Sequence, residues 1–141
     1  MNTEPASKLR VVLDTNVYFS AFSHPQGKPY RIWQKAVNRS FILLVSPAIL
    51  REIAGVLRED LQWKETDIVA HLKLVARIAE IISPRIGLQV VAEDPTDDRI
   101  LECALAGNAD LIVSGDRHLR KLKSFRHIGI VQPSDFLRTL G

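Results

Sequence analysis

One cysteine in 141 residues, Cys103, excludes an internal disulfide and fits a reducing compartment. Long apolar runs are missing too. The most apolar stretch, "FILLVSPAIL" at 41–50, is far short of a bilayer span and contains a proline. The amino terminus, "MNTEPASKLR", lacks the apolar core of a secretory signal. Repeats, low-complexity segments and dividing linkers are absent. A hydrophobic content of 46% with mixed charge describes a folded globule, and 141 residues suffice for one sizeable core. The expectation is a cytoplasmic chain without membrane association, one domain over 1–141, with 1–9 as a flexible N-terminal tail.

Several chemistries are also missing their residues. The four histidines (24, 71, 118 and 127) and Cys103 show no zinc-ligand spacing. There is no G-x-x-x-x-G-K-[ST] loop, no G-x-G-x-x-G after a strand and no G-x-S-x-G elbow. Nucleotide-cradling loops and serine-hydrolase nucleophiles are therefore excluded.

Acids are absent from two long stretches. Residues 15–51 hold no acid and five bases: Lys28, Arg31, Lys35, Arg39 and Arg51. Residues 117–127 again hold none, with Arg117, Arg120, Lys121, Lys123 and Arg126. Between them "EDPTDD" (93–98) packs four acids into six positions of a chain whose net charge is +3. Acids needed for solubility alone would be scattered.

The pattern of elements points to an α/β fold. Strands are expected at 10–13, 41–45 ("FILLV"), 88–91 ("LQVV"), 111–114 ("LIVS") and 128–131 ("IGIV"). Continuous apolar runs of this kind suit a parallel sheet covered on both faces. Helices are expected over about 29–38, from Pro47 behind a Ser46 N-cap towards Arg58, over about 65–82, over about 96–106 with Gly107 as C-cap, and through "PSDFLRTL". "SHPQGKP" (23–29) reads as a loop. Alternating strands and helices imply right-handed crossovers and a mostly parallel, three-layer arrangement.

In such sheets ligands bind beyond the carboxyl ends of the strands, where strand order reverses. Asp14 directly follows the first strand, and Asp116 lies two residues beyond "LIVS". Asp97 and Asp98 open the helix before that strand, and Glu52 falls about one and a half turns into the helix after "FILLV". Four distant segments thus bring carboxylates to one rim. Clustered carboxylates take up protons unless a cation sits among them, and oxygen-only ligands suit Mg²⁺ or Mn²⁺. Basic surfaces beside an acidic metal pocket then suit a polyanion, and together these features suggest phosphodiester hydrolysis.

Each acid also has a plainer reading: Asp14 as a turn residue, Asp97 or Asp98 as an N-cap, Glu52 as a solvated helix position, Asp116 as a cap of "RHLRKL". The bases at 28, 31, 35 and 39 form either a solvated face or an RNA contact. Five of the nine aromatics fall between 18 and 33 and suit a core or dimer interface. Thr15 and Ser114 either orient the carboxylates or satisfy local backbone groups.

The sequence resembles the PIN-domain family over about 10–140, in the branch described as toxin components of toxin–antitoxin systems. The resemblance rests on "VVLDTNVYFSAF", "FILLVSPAILREIAGVL", "DPTDDRILECALAGNADLIVSGDRHL" and "IGIVQPSDFL", with eighteen residues from Asp98 to Asp116. It implies a five-stranded parallel sheet of order 3-2-1-4-5 and Mg²⁺- or Mn²⁺-dependent ribonuclease activity. By residue, it implies Asp14, Glu52, Asp98 and Asp116 as catalytic and metal-binding acids, with Asp97 and Asp94 as further acids beside Asp98. Thr15, Asn16 and Ser114 would support them. The resemblance also implies a homodimer and a partner antitoxin. Lys28, Arg31, Lys35, Arg117, Arg120 and Lys121 are the expected RNA contacts. The rival readings are a non-catalytic RNA-binding or regulatory module of the same fold, and another acidic-pocket α/β phosphohydrolase. Against a haloacid-dehalogenase-like phosphatase, the position two after Asp14 is Asn16 rather than aspartate.

Overall fold

The computed structural model describes residues 7–84 and 95–141, with the side chains of 95–97 outside the description. The strands are β1 (Arg10–Leu13), β2 (Ile42–Val45), β3 (Glu80–Ile81), β4 (Leu111–Val113), β5 (Ser124–Phe125) and β6 (Ile128–Val131). The helices are α1 (Thr15–Ser23), α2 (Lys28–Val37), α3 (Pro47–Gly55), α4 (Glu65–Ile78), α5 (Pro95–Ala106), α6 (Arg117–Arg120) and α7 (Pro133–Leu140); a π-helical turn, Val56–Asp60, prolongs α3.

The sheet order is β3-β2-β1-β4-β6-β5. All neighbours are parallel except β5 against β6. The expected parallel order 3-2-1-4-5 is therefore present, with β6 as its fifth strand, and an antiparallel edge strand is added. That addition is a hairpin: Phe125 pairs with Ile128 across the two residues Arg126 and His127. Both take positive φ, 47° and 66°. A two-residue hairpin turn demands such angles and usually recruits Asn-Gly, so two bulky polar residues hid it.

Central strands β1, β2 and β4 form the heart of the core. Val11, Val12, Leu43, Leu44 and Ile112 are fully buried, as the unbroken apolar runs require in a sheet covered on both faces. Ser46 caps α3, its hydroxyl accepting from the Ile49 amide at 3.2 Å, and Pro47 occupies a first-turn position. Of the segment expected to be a tail, Leu9 packs against the core and its carbonyl accepts from Ile42 at 2.8 Å.

One helix boundary moves, one expected strand is untested, and one glycine's role is refined. The helical stripe expected through 82 stops at Ile78, and Glu80–Ile81 instead pairs with Leu44–Val45 as the edge strand β3. The strand expected at 88–91 lies outside the described residues. Gly107 does follow α5, but the left-handed residue there is Asn108, with φ 52°. Gly107 serves close packing: a Cβ would stand 3.0 Å from the Cys103 carbonyl, the Ile82 side chain and the Leu44 side chain.

Candidate functional site

Strand order reverses between β1 and β4, which lie side by side with Leu13 opposite Val113. The next residues along both strands form the site. The Asp14 amide donates to the Val113 carbonyl at 2.9 Å, continuing the ladder one step past the last paired residues. This fixes the Asp14 backbone, extended at φ −63° and ψ 150°, at the start of α1. No α1 amide meets full capping geometry with its side chain, although the Thr15 and Asn16 backbone amides lie close enough to favour its charged form.

Asp14 is only 5% exposed. Ser114, on the neighbouring strand and fully buried, donates its hydroxyl proton to Asp14 Oδ2 at 2.6 Å. The Ser114 hydroxyl oxygen in turn accepts from the Asp116 amide at 2.9 Å and lies 3.5 Å from the Asn16 amide nitrogen. A hydroxyl offers one proton and two lone pairs, and here all three are directed. Asn16 reaches Asp14 Oδ2 at 3.3 Å, and its carbonyl accepts from the Gly115 amide at 3.2 Å, tying the loop after β4 to α1. Thr15 donates to Glu52 Oε1 at 2.5 Å and lies 3.4 Å from Asp14 Oδ1, which links α3 to β1.

Burial pushes the Asp14 carboxyl above its ordinary range; the Ser114 hydroxyl opposes this, and the Asp116 charge adds to it. The Ser114 hydroxyl, bonded to both the Asp14 carboxylate and the Asp116 amide, holds the two residues together. Asp116 also accepts from the His118 amide at 2.7 Å, so its capping of α6 is real as well. Glu52 is half-buried on α3, and Asp98 is buried on α5 at 4% exposure. The side chain of Asp97 and all of Asp94 lie outside the described residues. Among the described residues no three His, Cys, Asp or Glu side chains are drawn together tightly enough to hold a metal ion. The structure thus joins Asp14, Thr15, Asn16, Glu52, Ser114 and Asp116 through the hydrogen bonds above and the field of Asp116 at Asp14.

The donor set still fits a hard cation. Asp14 forms no ion pair among the described residues, and the acid nearest it in charge is a like one, Asp116. Mg²⁺ is commonly held by one or two carboxylates with waters and substrate phosphates completing its shell. Two features escaped the sequence: the Thr15–Glu52 bond and the Gly115 amide. The Thr-Asn pair directly after Asp14 was the available signal.

Residues 10–118 match the sequence model of the PIN domain. The chain belongs to the PIN domain family. A relative at 29% identity over 143 aligned positions, covering 92% of this chain and 90% of its own, is the uncharacterized protein MJ1680 of Methanocaldococcus jannaschii. Among solved structures, PAE2754 from Pyrobaculum aerophilum superposes with a TM-score of 0.63 at 16% identity, covering 94% of this PIN chain and 89% of that one. A chain of VapBC2 from Rickettsia felis, bound to a DNA fragment from their promoter, superposes with a TM-score of 0.60 at 16% identity over 88% and 98%. These two likenesses speak for the fold. Among the described residues no helix of this PIN chain is long and apolar enough to cross a membrane.

Proposed function

We propose that this PIN domain is an Mg²⁺- or Mn²⁺-dependent endoribonuclease and the toxin of a toxin–antitoxin pair. The observation that carries the nuclease reading is Asp14: a buried carboxylate at the strand-order reversal, oriented by Ser114 and lacking an ion-pair partner among the described residues. Family membership and the likeness to a VapBC2 chain support the toxin role and the expectation of an antitoxin partner.

Asp14, Glu52, Asp98 and Asp116 are the proposed metal-holding acids, with Asp97 beside them. When bound, the cation lowers the pKa of water and offsets charge on the phosphate and the leaving 3′ oxygen. Ser114 and Asn16 keep the Asp14 carboxylate aimed, and Thr15 holds Glu52 against the same rim. Arg120 donates to the Gly115 carbonyl at 3.4 Å, which sets a guanidinium beside the acidic loop. With Arg117 and Lys121 on the same short segment, it holds the RNA backbone without reading bases. In-line attack leaves 5′-phosphate and 3′-hydroxyl ends.

The capping bond from Asp116 favours one other reading, a non-catalytic RNA-binding module in which that acid is structural. End-labelled RNA incubated with Mn²⁺, Mg²⁺ or EDTA, beside Asp14→Asn and Asp98→Asn variants, separates the two. Metal-dependent cleavage that both substitutions abolish supports the nuclease; RNA binding without cleavage supports the module.

A further inference from the structure

A second basic feature lies apart from the acids. Helices α2 and α7 pack against each other, and between them opens a cleft of about 610 Å³. Its walls include Lys28, Arg31 and Lys35 from α2 and Ser134, Leu137 and Arg138 from α7. Among the described residues, none that lines it belongs to the carboxylate site, and none is an acid. The α2 cations stand at positions i, i+3 and i+7, one stripe of the helix, while Ile32, Trp33 and Ala36 bury the opposite face. Like charges three and four residues apart weaken a helix, so local stability does not explain the stripe. Arg138 adds a fourth cation from a segment about a hundred residues away in sequence, shared with Asp135 of its own helix.

We propose that the α2–α7 cleft is a binding track for the phosphodiester backbone of single-stranded RNA, separate from the cleavage centre. Seven residues of helix separate Lys28 from Lys35, about 10 Å at 1.5 Å per residue. Cations strung over that length suit a row of phosphates better than one anion. The aliphatic floor at Leu137 and the Ser134 hydroxyl accept sugar and phosphate without selecting a base. The inference rests on RNA being the substrate, but not on the chemistry at the acids.

The test is binding of fluorescein-labelled single-stranded RNA in EDTA, across a range of salt concentrations. Four proteins are compared: wild type, Lys28→Ala/Arg31→Ala/Lys35→Ala, the charge-keeping Lys28→Arg/Lys35→Arg, and a control with equal charge loss, Lys64→Ala/Lys73→Ala/Arg77→Ala, on exposed positions elsewhere. The cleft variant is expected to bind more than tenfold more weakly. Its plot of log K against log salt flattens by about 2, at roughly 0.7 per lost phosphate contact. The control stays near wild type, and Lys28→Arg/Lys35→Arg, which keeps the charge, binds normally. Equal loss in both triple variants, or none in the cleft variant, overturns the proposal. So does a cleft that loses only poly-L-glutamate binding, which would make its ligand an acidic polypeptide. Wild-type protein that binds RNA through the cleft in EDTA, yet cleaves none when Mn²⁺ or Mg²⁺ is then supplied in excess, sinks the nuclease reading and leaves the track standing.

Discussion

Acidification should destabilise this protein through one histidine. His71, on α4, is 8% exposed and sits among Phe22, Trp33 and Trp63, with ring centroids 4.7, 5.0 and 5.7 Å away. Among the described residues its buried Nε2 has no hydrogen-bond partner. Burial lowers its pKa from 6.5 to about 4. The folded state therefore holds the imidazole neutral where the unfolded chain already binds a proton. Stability is intact above pH 6.5 and falls as pH drops from there towards 4. At 1.36 kcal/mol per pH unit, the two values imply a loss of about 1.4 kcal/mol at pH 5.5 and about 2.5 kcal/mol at pH 4.5. These are ceilings, since water admitted through a loosened aromatic wall recovers part of the loss. Asp14 has the opposite sign. Its raised pKa makes the folded state keep a proton that the unfolded chain has lost, so its penalty fades on acidification. Urea unfolding followed by far-ultraviolet circular dichroism at pH 7.5, 6.5, 5.5 and 4.5, on wild type and His71→Leu, isolates the imidazole by subtraction. The variant should match or exceed wild type at pH 7.5, because it removes an unsatisfied buried nitrogen, and should lose less stability below pH 6. Parallel curves for the two proteins would refute the reasoning.

Asp14→Asn should raise the metal-free melting temperature, by removing a carboxylate that burial disfavours, and should erase any Mn²⁺-induced rise; thermal shift with and without MnCl₂ reads both. Gly107→Ala should destabilise by about 1–3 kcal/mol in urea, because its Cβ meets the Cys103 carbonyl and two core side chains at 3.0 Å. An unchanged midpoint would mean that Ile82 and Leu44 step aside freely. Ser46→Ala should lose about 0.5–2 kcal/mol through the α3 cap, measured by the same titration, with RNA cleavage at saturating metal little altered.

The sequence carried the central sheet because β1, β2, β4 and β6 are apolar runs whose burial leaves few alternatives. It did not disclose α1. "TNVYFSAFS" has no acid in its first turn and no side-chain cap, and its aromatic and β-branched residues are indifferent helix formers. Packing against α2 and α3 decides its conformation. The two-residue strand β3 was hidden because Ala79 and Ile82 continue the apolar stripe of α4; its partner strand and the Arg10–Glu80 ion pair, not its own residues, define it. Asp14, Ser114 and Asp116 were legible since strand ends fix where they emerge. The bond from Thr15 to Glu52 was not, because it depends on how α3 leans against α1.

Asp14 and Ser114 touch across 100 positions of sequence. During synthesis the first half of this rim leaves the ribosome long before the second exists. A chain stopped before β4 carries Asp14 without the hydroxyl that aims it or the neighbouring acid that shares its field. The rim is thus assembled only once β4 has been made, and the hydrogen bond that orients Asp14 depends on a strand synthesised a hundred residues later.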